Sequence, residues 1–381
     1  MAGAQAEDRR RGRDGCVSKR AAGMEKKPLS RRDFLSGLAA LAVFAASGAA
    51  RSAAADPAAT PRKRGGTRIN VRDHGARGDG AGDDTTSFQA AIDALPDDGG
   101  TVFVPAGIYV IDPTRSVKLR SRMLLSLADG AKLLAKANAA PRSYVLLGEQ
   151  LQDVEISGGS IVGDRDSHLG TSGEWGHGIR LSGCVGASIR NIHVSRCWGD
   201  GISAGGNMLK GSASRPGRDL LIANVVCTGN RRQGLTLGSY RGARVLDSVF
   251  SDTGGTPPAA GIDIEPDTDV ARDIAIERCV LRGNRGPGIQ LYKRTAGITI
   301  ANCIIERNRG DGILGLAAVD SVFSQNVIRN NGAKGVTLRA GSRNVRLIGN
   351  EFKGNRGDGK AQVKVADDSV SVGVDASNRF E

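Results

Sequence analysis

Aromatic side chains are scarce, 4% of 381 residues, with two tryptophans, four tyrosines and eight phenylalanines. That scarcity excludes a core built on large rings and a surface on which nucleobases stack in series. Cysteine is sparse as well: Cys16, Cys184, Cys197, Cys227, Cys279 and Cys303, with no C-x-x-C pair. A disulfide-stapled scaffold and the common structural zinc spacings are excluded with it. No uncharged apolar run reaches the ~20 residues that span a bilayer. Glycine, by contrast, is abundant at 54 residues, roughly twice ordinary usage. It shows no three-residue period, so the chain is not collagen-like. The apolar fraction of 39% is too high for a wholly disordered chain. Glycine, asparagine, valine and isoleucine with few rings point to many short strands joined by tight turns.

The net charge of +13 invites a nucleic-acid reading, but much of it is local. Residues 1–55 hold 11 Lys/Arg and 5 Asp/Glu, which leaves about +7 on the remainder. That is a mildly basic surface, and no zinc-finger or RNA-binding motif accompanies it, so no nucleic-acid partner is expected. Ser30-Arg-Arg-Asp-Phe-Leu35, the uncharged alanine-rich stretch Ser36–Ala50 and the small residues Ala53–Ala55 resemble a twin-arginine export signal. The resemblance implies a periplasmic or secreted protein with no stable membrane span once the leader is cleaved. Met24 offers an alternative start, which would make residues 1–23 an upstream extension. The expected organisation is a leader over 1–55, a basic Pro/Gly linker over 56–68 and a single domain over 69–381.

Within that domain, Phe88, Ala91, Ile92 and Leu95 recur at helical spacing, with Asp84 or Thr85 placed to cap the helix. Gly99-Gly100 then turns the chain into an extended segment. The dominant signal is a repeat. A glycine followed by a β-branched residue or leucine recurs at Gly178, Gly201, Gly234, Gly261, Gly288, Gly312 and Gly335, with a weaker turn near Gly359. The intervals are 23, 33, 27, 27, 24, 23 and 24 residues. A second strand precedes each glycine, as in Ile274–Ile276 and Ile298–Ile300, and short segments ending at Cys227, Phe250, Leu281, Ile305, Ile328 and Phe352 supply a third. Such a coil cannot bury its own apolar face, and stacking at ~4.8 Å buries it as continuous columns. Asn230, Asn284, Asn308, Asn331 and Asn355 align, with Cys197 in the same register, as a column of turn-capping amides. The remaining cysteines read as small core fillers. The expected fold is all-β, a right-handed parallel β-helix with an N-terminal capping helix.

Asp73-His-Gly-Ala-Arg-Gly-Asp-Gly80 through Asp83-Asp84, then Gln89–Asp93 and Gly99–Tyr109, resemble the entrance motif of the pectate-lyase-like superfamily. His74 stands where that family commonly has Phe or Tyr. The resemblance, extended by the repeats over 69–381, implies the fold more firmly than a chemistry, because members include pectin and alginate lyases, hydrolases, C5-epimerases and phage depolymerases. It implies an extracellular or periplasmic polysaccharide as the partner.

Strand alternation locates a groove. Arg180, Ser203, Thr236, Asp263 and Gln290 should point outward as one column, and Ser182, Gly205, Gly238, Glu265 and Tyr292 as the next. The long loop Asp164–His177, an enlarged turn over Asn207–Asp219 and the Gly/Pro-rich Thr253–Ala260 flank that side. Five coils cover ~24 Å, room for several sugar units. Asp263 and Glu265, with Asp200 and His177, are the expected catalytic residues. Asp263, Glu265 and Asp267 are a candidate Ca²⁺ set, so the cofactor expectation is none or Ca²⁺. Arg180, Trp175, Tyr240, Arg241, Gln290, Tyr292 and Lys293 are expected to contact substrate, while Asp269 reads as a turn residue and His168 and His193 as incidental.

Two chemistries fit these residues. Lyase or C5-epimerase chemistry removes the C5 proton of a uronic acid and needs its carboxylate neutralised. Glycoside hydrolysis needs a carboxylic acid and a second carboxylate. The Asn-Thr-Asp and Arg-Ile-Lys stretches typical of polygalacturonases, and an Asp-Asp pair on the groove strands, are absent. So is the Asp-Pro-His-Glu of alginate epimerases, of which Glu265-Pro-Asp267 is a partial echo. Proton abstraction from an anionic, uronic-acid-containing polymer is the preferred expectation, with hydrolysis and a nonenzymatic carbohydrate-binding or structural role as alternatives.

Overall fold

Short glycine-led strands that are apolar on one side gain burial only from a neighbouring coil, and the chain stacks accordingly. A computed structural model describes residues 62–207, 215–267 and 269–381. Over these residues the chain is a right-handed parallel β-helix of about 11 turns. The described strands form one sheet of 20 strands and a second of 12, all paired in parallel. The leader and its paired arginines lie outside the described residues. Among the described residues, no helix is long and apolar enough to cross a membrane.

The repeat falls in register as the alternation requires. Ile179, Ile202, Leu235, Ile262, Ile289, Ile313 and Val336 pair from coil to coil and are fully buried. Val194, Cys227, Phe250, Leu281, Ile305, Ile328 and Phe352 form the matching column in the second sheet. Cys184, Cys197, Cys227, Cys279 and Cys303 are buried free thiols, which makes them core fillers. The leading glycine is required by close approach: at Gly288 a Cβ would fall 2.5 Å from Ile305 Cγ2 and 2.9 Å from Asn308 Nδ2.

Asparagines close the turns. Asn308 Nδ2 donates to Leu281 O and to Asn331 Oδ1, both at 3.0 Å, while its own Oδ1 accepts from Asn284 N at 3.1 Å. The same pattern runs from Asn284 to Gln362 through Asn331 and Asn355. Asn326, Asn350 and Asn378 form a second ladder that the repeat alignment does not single out, capped by the backbone N–H of Cys303. Cys197 N donates to Asn230 Oδ1 at 3.0 Å, as the alignment implies.

The helix Thr85–Asp93 caps the N-terminal end with Phe88, Ala91 and Ile92 buried. Its capping differs in detail from the expectation. Asp84 turns back to accept from Arg77 N (2.8 Å) and Gly78 N (3.2 Å), and Asp83 takes the Thr85 N–H at 3.0 Å. The domain also begins earlier than residue 69. Arg62 donates to Ser188 Oγ at 2.8 Å and Ala187 O at 3.0 Å and pairs with Asp219.

Replacing Asn308 by Ala strands the Leu281 carbonyl and the Asn284 N–H in a dry turn. The expected cost is about 2–4 kcal/mol in a denaturant titration. Thr114→Ala, which removes an exposed side-chain bond to Asp112, should cost under about 0.5 kcal/mol.

Candidate functional site

Five consecutive rungs build one wall: Arg142–Glu149, Trp175–Ser182, Ile202–Gly205, Leu235–Leu237 and Ile262–Ile264. Leu147, Arg180, Ser203, Thr236, Asp263 and Gln290 are in register along it, the column expected from alternation. In the next column the middle rungs carry Gly205 and Gly238. A Cβ at Gly205 would lie 3.3 Å from Gly238 Cα, and one at Gly238 3.2 Å from Gly205 Cα. These missing side chains open the floor of a cleft of about 490 Å³. Trp175, His177, Arg180, Asp200, Glu265 and Asp267 line it, which brings six of the expected site residues together.

Arg232 organises this cleft. Its Nε lies 3.2 Å from Glu174 Oε2, Nη1 3.5 Å from Asp200 Oδ1, and Nη2 donates to Glu265 Oε2 at 2.9 Å. One guanidinium thus gathers carboxylates from the long loop, the third rung and the fifth. Burial disfavours its charge, yet Asp200 and Glu265 outweigh that and raise its pKa. Asp200 is 1% exposed, and among the described residues neither carboxylate oxygen accepts a hydrogen bond. Thr236 Oγ1 faces it without reaching hydrogen-bond geometry. Burial pushes the Asp200 pKa up to about 6 against the opposing pull of Arg232.

His177 is set differently from the sequence expectation. Its Nδ1 accepts the Asp200 backbone N–H at 3.0 Å, so the neutral ring carries its proton on Nε2. Burial, then Arg180, Arg232 and Arg142, hold its pKa well below the ordinary 6.5. His177 is therefore a neutral hydrogen-bond donor, whereas the sequence reading has it exchanging a proton near neutral pH. The Tyr144 ring stacks on it with centroids 5.5 Å apart. Burial raises the Tyr144 pKa, which keeps that hydroxyl protonated. Arg180 donates to Ser203 Oγ at 2.7 Å, and the Arg142 guanidinium lies 4.8 Å from the Trp175 ring centroid.

Other expected residues fall elsewhere. Asp263 points outward from its strand but is fully buried, its oxygens accepting from Gln233 Nε2 at 2.8 Å and Gln290 Nε2 at 3.1 Å. Burial and then Glu265 raise its pKa well above the carboxylate range. Asp263 thus stays covered on the outer face beside Glu265, and Gln290 is one of the amides that cover it. Asp263, Glu265 and Asp267 do not fit a Ca²⁺ site: Asp263 is occupied by two amides, and no metal-holding group of three His, Cys, Asp or Glu occurs among the described residues. Tyr240 is a core side chain, fully buried, donating to Cys184 O at 3.1 Å, and it does not line the cleft. Arg241 pairs with Asp269 at 2.9 Å outside the cleft. Tyr292 and Lys293 sit together one rung beyond it, the ammonium 5.0 Å from the ring centroid. His168, expected to be incidental, stacks on Trp198 at 4.0 Å and bonds Asp164 at 2.7 Å.

Arg232, Arg142 and Tyr144 were missed by sequence reasoning. Arg232 had a legible signal. Two residues before the leading glycine, the other coils carry Gly176, Gly199, Ala259, Gly286, Gly310 and Ala333, all small, and an arginine intrudes at 232.

Comparison with known proteins places this geometry. Residues 177–372 match the family model described as right handed beta helix region. The chain is 29% identical over 220 residues to the uncharacterized protein YclG of Bacillus subtilis, covering 52% of this chain and 38% of that protein. It is 34% identical over 144 residues to mannuronan C5-epimerase AlgE1 of Azotobacter vinelandii, covering 34% of this chain and 10% of the epimerase. These matches therefore span well under half of either relative. Among solved structures, ORF18 of Geobacillus virus E2 superposes with a TM-score of 0.65 at 16% identity, covering 80% of this chain and 60% of that one.

A buried carboxyl whose folded pKa is raised to about 6 from an ordinary 3.8 stabilises the fold fully below the ordinary value and loses that contribution as pH rises towards 6. Asp200→Asn should accordingly stabilise the protein at pH 8, on the order of 2–3 kcal/mol, and not at pH 3.5. Parallel denaturant titrations at the two pH values check this. Arg232→Gln removes the charge that restrains Asp200, so the Asp200 midpoint should move above 6 in a carboxyl-carbon NMR titration.

Proposed function

The chain belongs to the right-handed β-helix family, and from that membership and its cleft we propose a polysaccharide-active enzyme that transfers a proton at C5 of a uronic-acid unit. The observation that carries this is Asp200, a buried carboxyl without a hydrogen-bond partner among the described residues, with a pKa near 6, on the wall of an arginine-bearing cleft. The mannuronan C5-epimerase relative supports the same chemistry.

Asp200 lines the cleft with both oxygens covered, so a side-chain rotation brings one of them to C5; ionised, it takes the C5 proton, and the C–H electron pair moves towards the C6 carboxylate as an enediolate. Arg180 and Arg142 neutralise that growing charge, and His177 adds a neutral N–H donor in the manner of imidazoles whose second nitrogen is held by the backbone. Collapse of the intermediate has two outcomes. Expelling the O4 substituent, whose oxygen takes up the proton of the Tyr144 hydroxyl, cleaves the chain and leaves an unsaturated uronide; reprotonation of C5 from the other face by that same hydroxyl gives the epimer. Export through the twin-arginine route, to periplasm or medium, belongs to the same proposal, because the polymer lies there.

Hydrolysis is the second reading, favoured by the three carboxylates gathered at Arg232. The two readings require opposite protonation states of Asp200. Proton abstraction predicts that kcat/KM rises with pH through about 6, whereas a general acid predicts that it falls.

A panel of polyuronates, with and without Ca²⁺, followed by mass spectrometry and NMR, should reveal unsaturated ends or inverted C5 centres. Asp200→Asn should lower kcat by about 100- to 10,000-fold with KM little changed. New reducing ends without unsaturation would assign hydrolysis. Binding without turnover of any polymer would assign a nonenzymatic carbohydrate-binding role.

A further inference from the structure

The charges of the cleft are unevenly spent. Arg232 is shared among Glu174, Asp200 and Glu265, so it offers nothing to a ligand. Two cations remain without a carboxylate partner among the described residues, Arg142 over the Trp175 ring and Arg180 on Ser203, both on the first two rungs. On the fifth rung the balance reverses. Glu265 shares Arg232 with Glu174, and Asp267 lines the same end; among the described residues Arg294 donates to its backbone carbonyl at 2.8 Å and no cation pairs with its carboxylate. Glu149 is the remaining lining carboxylate, at the margin of the first rung in the Ser182 column. The second and fifth rungs stand ~14 Å apart along the axis, a span of a few sugar units.

We propose that the cleft is built for a heteropolymer, in which a uronate held at Arg142 and Arg180 is followed along the chain by an uncharged sugar at Glu265 and Asp267, and not for a continuous polyuronate. This inference rests on the uronate reading of the site and refines it. A homopolymer would set a carboxylate of its own against Glu265 and Asp267, where no unshared cation lines the cleft; Arg294, on the Asp267 backbone carbonyl, lies outside the lining. Like charges in a partly dehydrated cleft discriminate strongly between partners. A unit that bears hydroxyl or acetamido groups would instead donate to those carboxylate oxygens.

The test is calorimetric binding at fixed low ionic strength, with three probes of equal length: an oligogalacturonate, an alternating uronate–N-acetylhexosamine oligosaccharide and an uncharged xylan oligosaccharide. The alternating probe should bind at least ~10-fold more tightly than the oligogalacturonate. Asp267→Asn, with an unchanged melting temperature, should narrow that gap several-fold by strengthening the oligogalacturonate alone. Equal or tighter binding of the oligogalacturonate, unmoved by Asp267→Asn, overturns the inference while leaving the uronate reading in place. Failure of both anionic probes to bind, or preference for the uncharged one, overturns both.

Discussion

One spacing governs this molecule: parallel strands hydrogen-bonded in register, one coil about 4.8 Å above the next. It makes every residue a member of a column, so a choice at one position is felt by the rungs above and below. Inward, the columns are isoleucine, leucine and valine, with the occasional cysteine where a smaller side chain fits. Outward, the same rule sets side chains from distant sequence positions along one wall, Arg142 and Glu265, 123 residues apart, among them. The cleft is thus a by-product of regular stacking interrupted at chosen places.

Those interruptions shape the cleft. Gly205 and Gly238 remove two side chains from the outer column, and Arg232 inserts a cation where other coils have glycine or alanine. The cation holds three carboxylates within reach of one another, at 2.9–3.5 Å from its nitrogens. Asp200 is left buried without a hydrogen bond among the described residues, an arrangement that costs stability. Site and scaffold are in tension at this residue.

The fold was legible from the chain because it depends on period. Glycine-led repeats, inward and outward columns, core cysteines and the first asparagine ladder all follow from counting, and the structure agrees residue by residue. The site was less legible. Counting gives the direction in which Asp263 and Tyr240 leave the strand but not what lies over them. Asp263 points out and is nonetheless covered by Gln233 and Gln290, and Tyr240 folds into the core to reach Cys184 O. The role of His177 depends on a backbone N–H from the next coil, which no spacing announces. Arg232 was visible as an exception to its column, once the column was known.

The asparagine ladders belong to the later turns, Asn284 to Gln362 and Asn326 to Asn378, whereas the cleft belongs to the earlier ones. Each rung of those ladders presents the same donors and acceptors as its neighbours. Duplicating or deleting one 23- or 24-residue turn there would restore the broken hydrogen bonds at the splice and leave the distances around Arg232 as they are. The overall length of this solenoid is in that sense an evolutionary free variable, adjustable without renegotiating its chemistry.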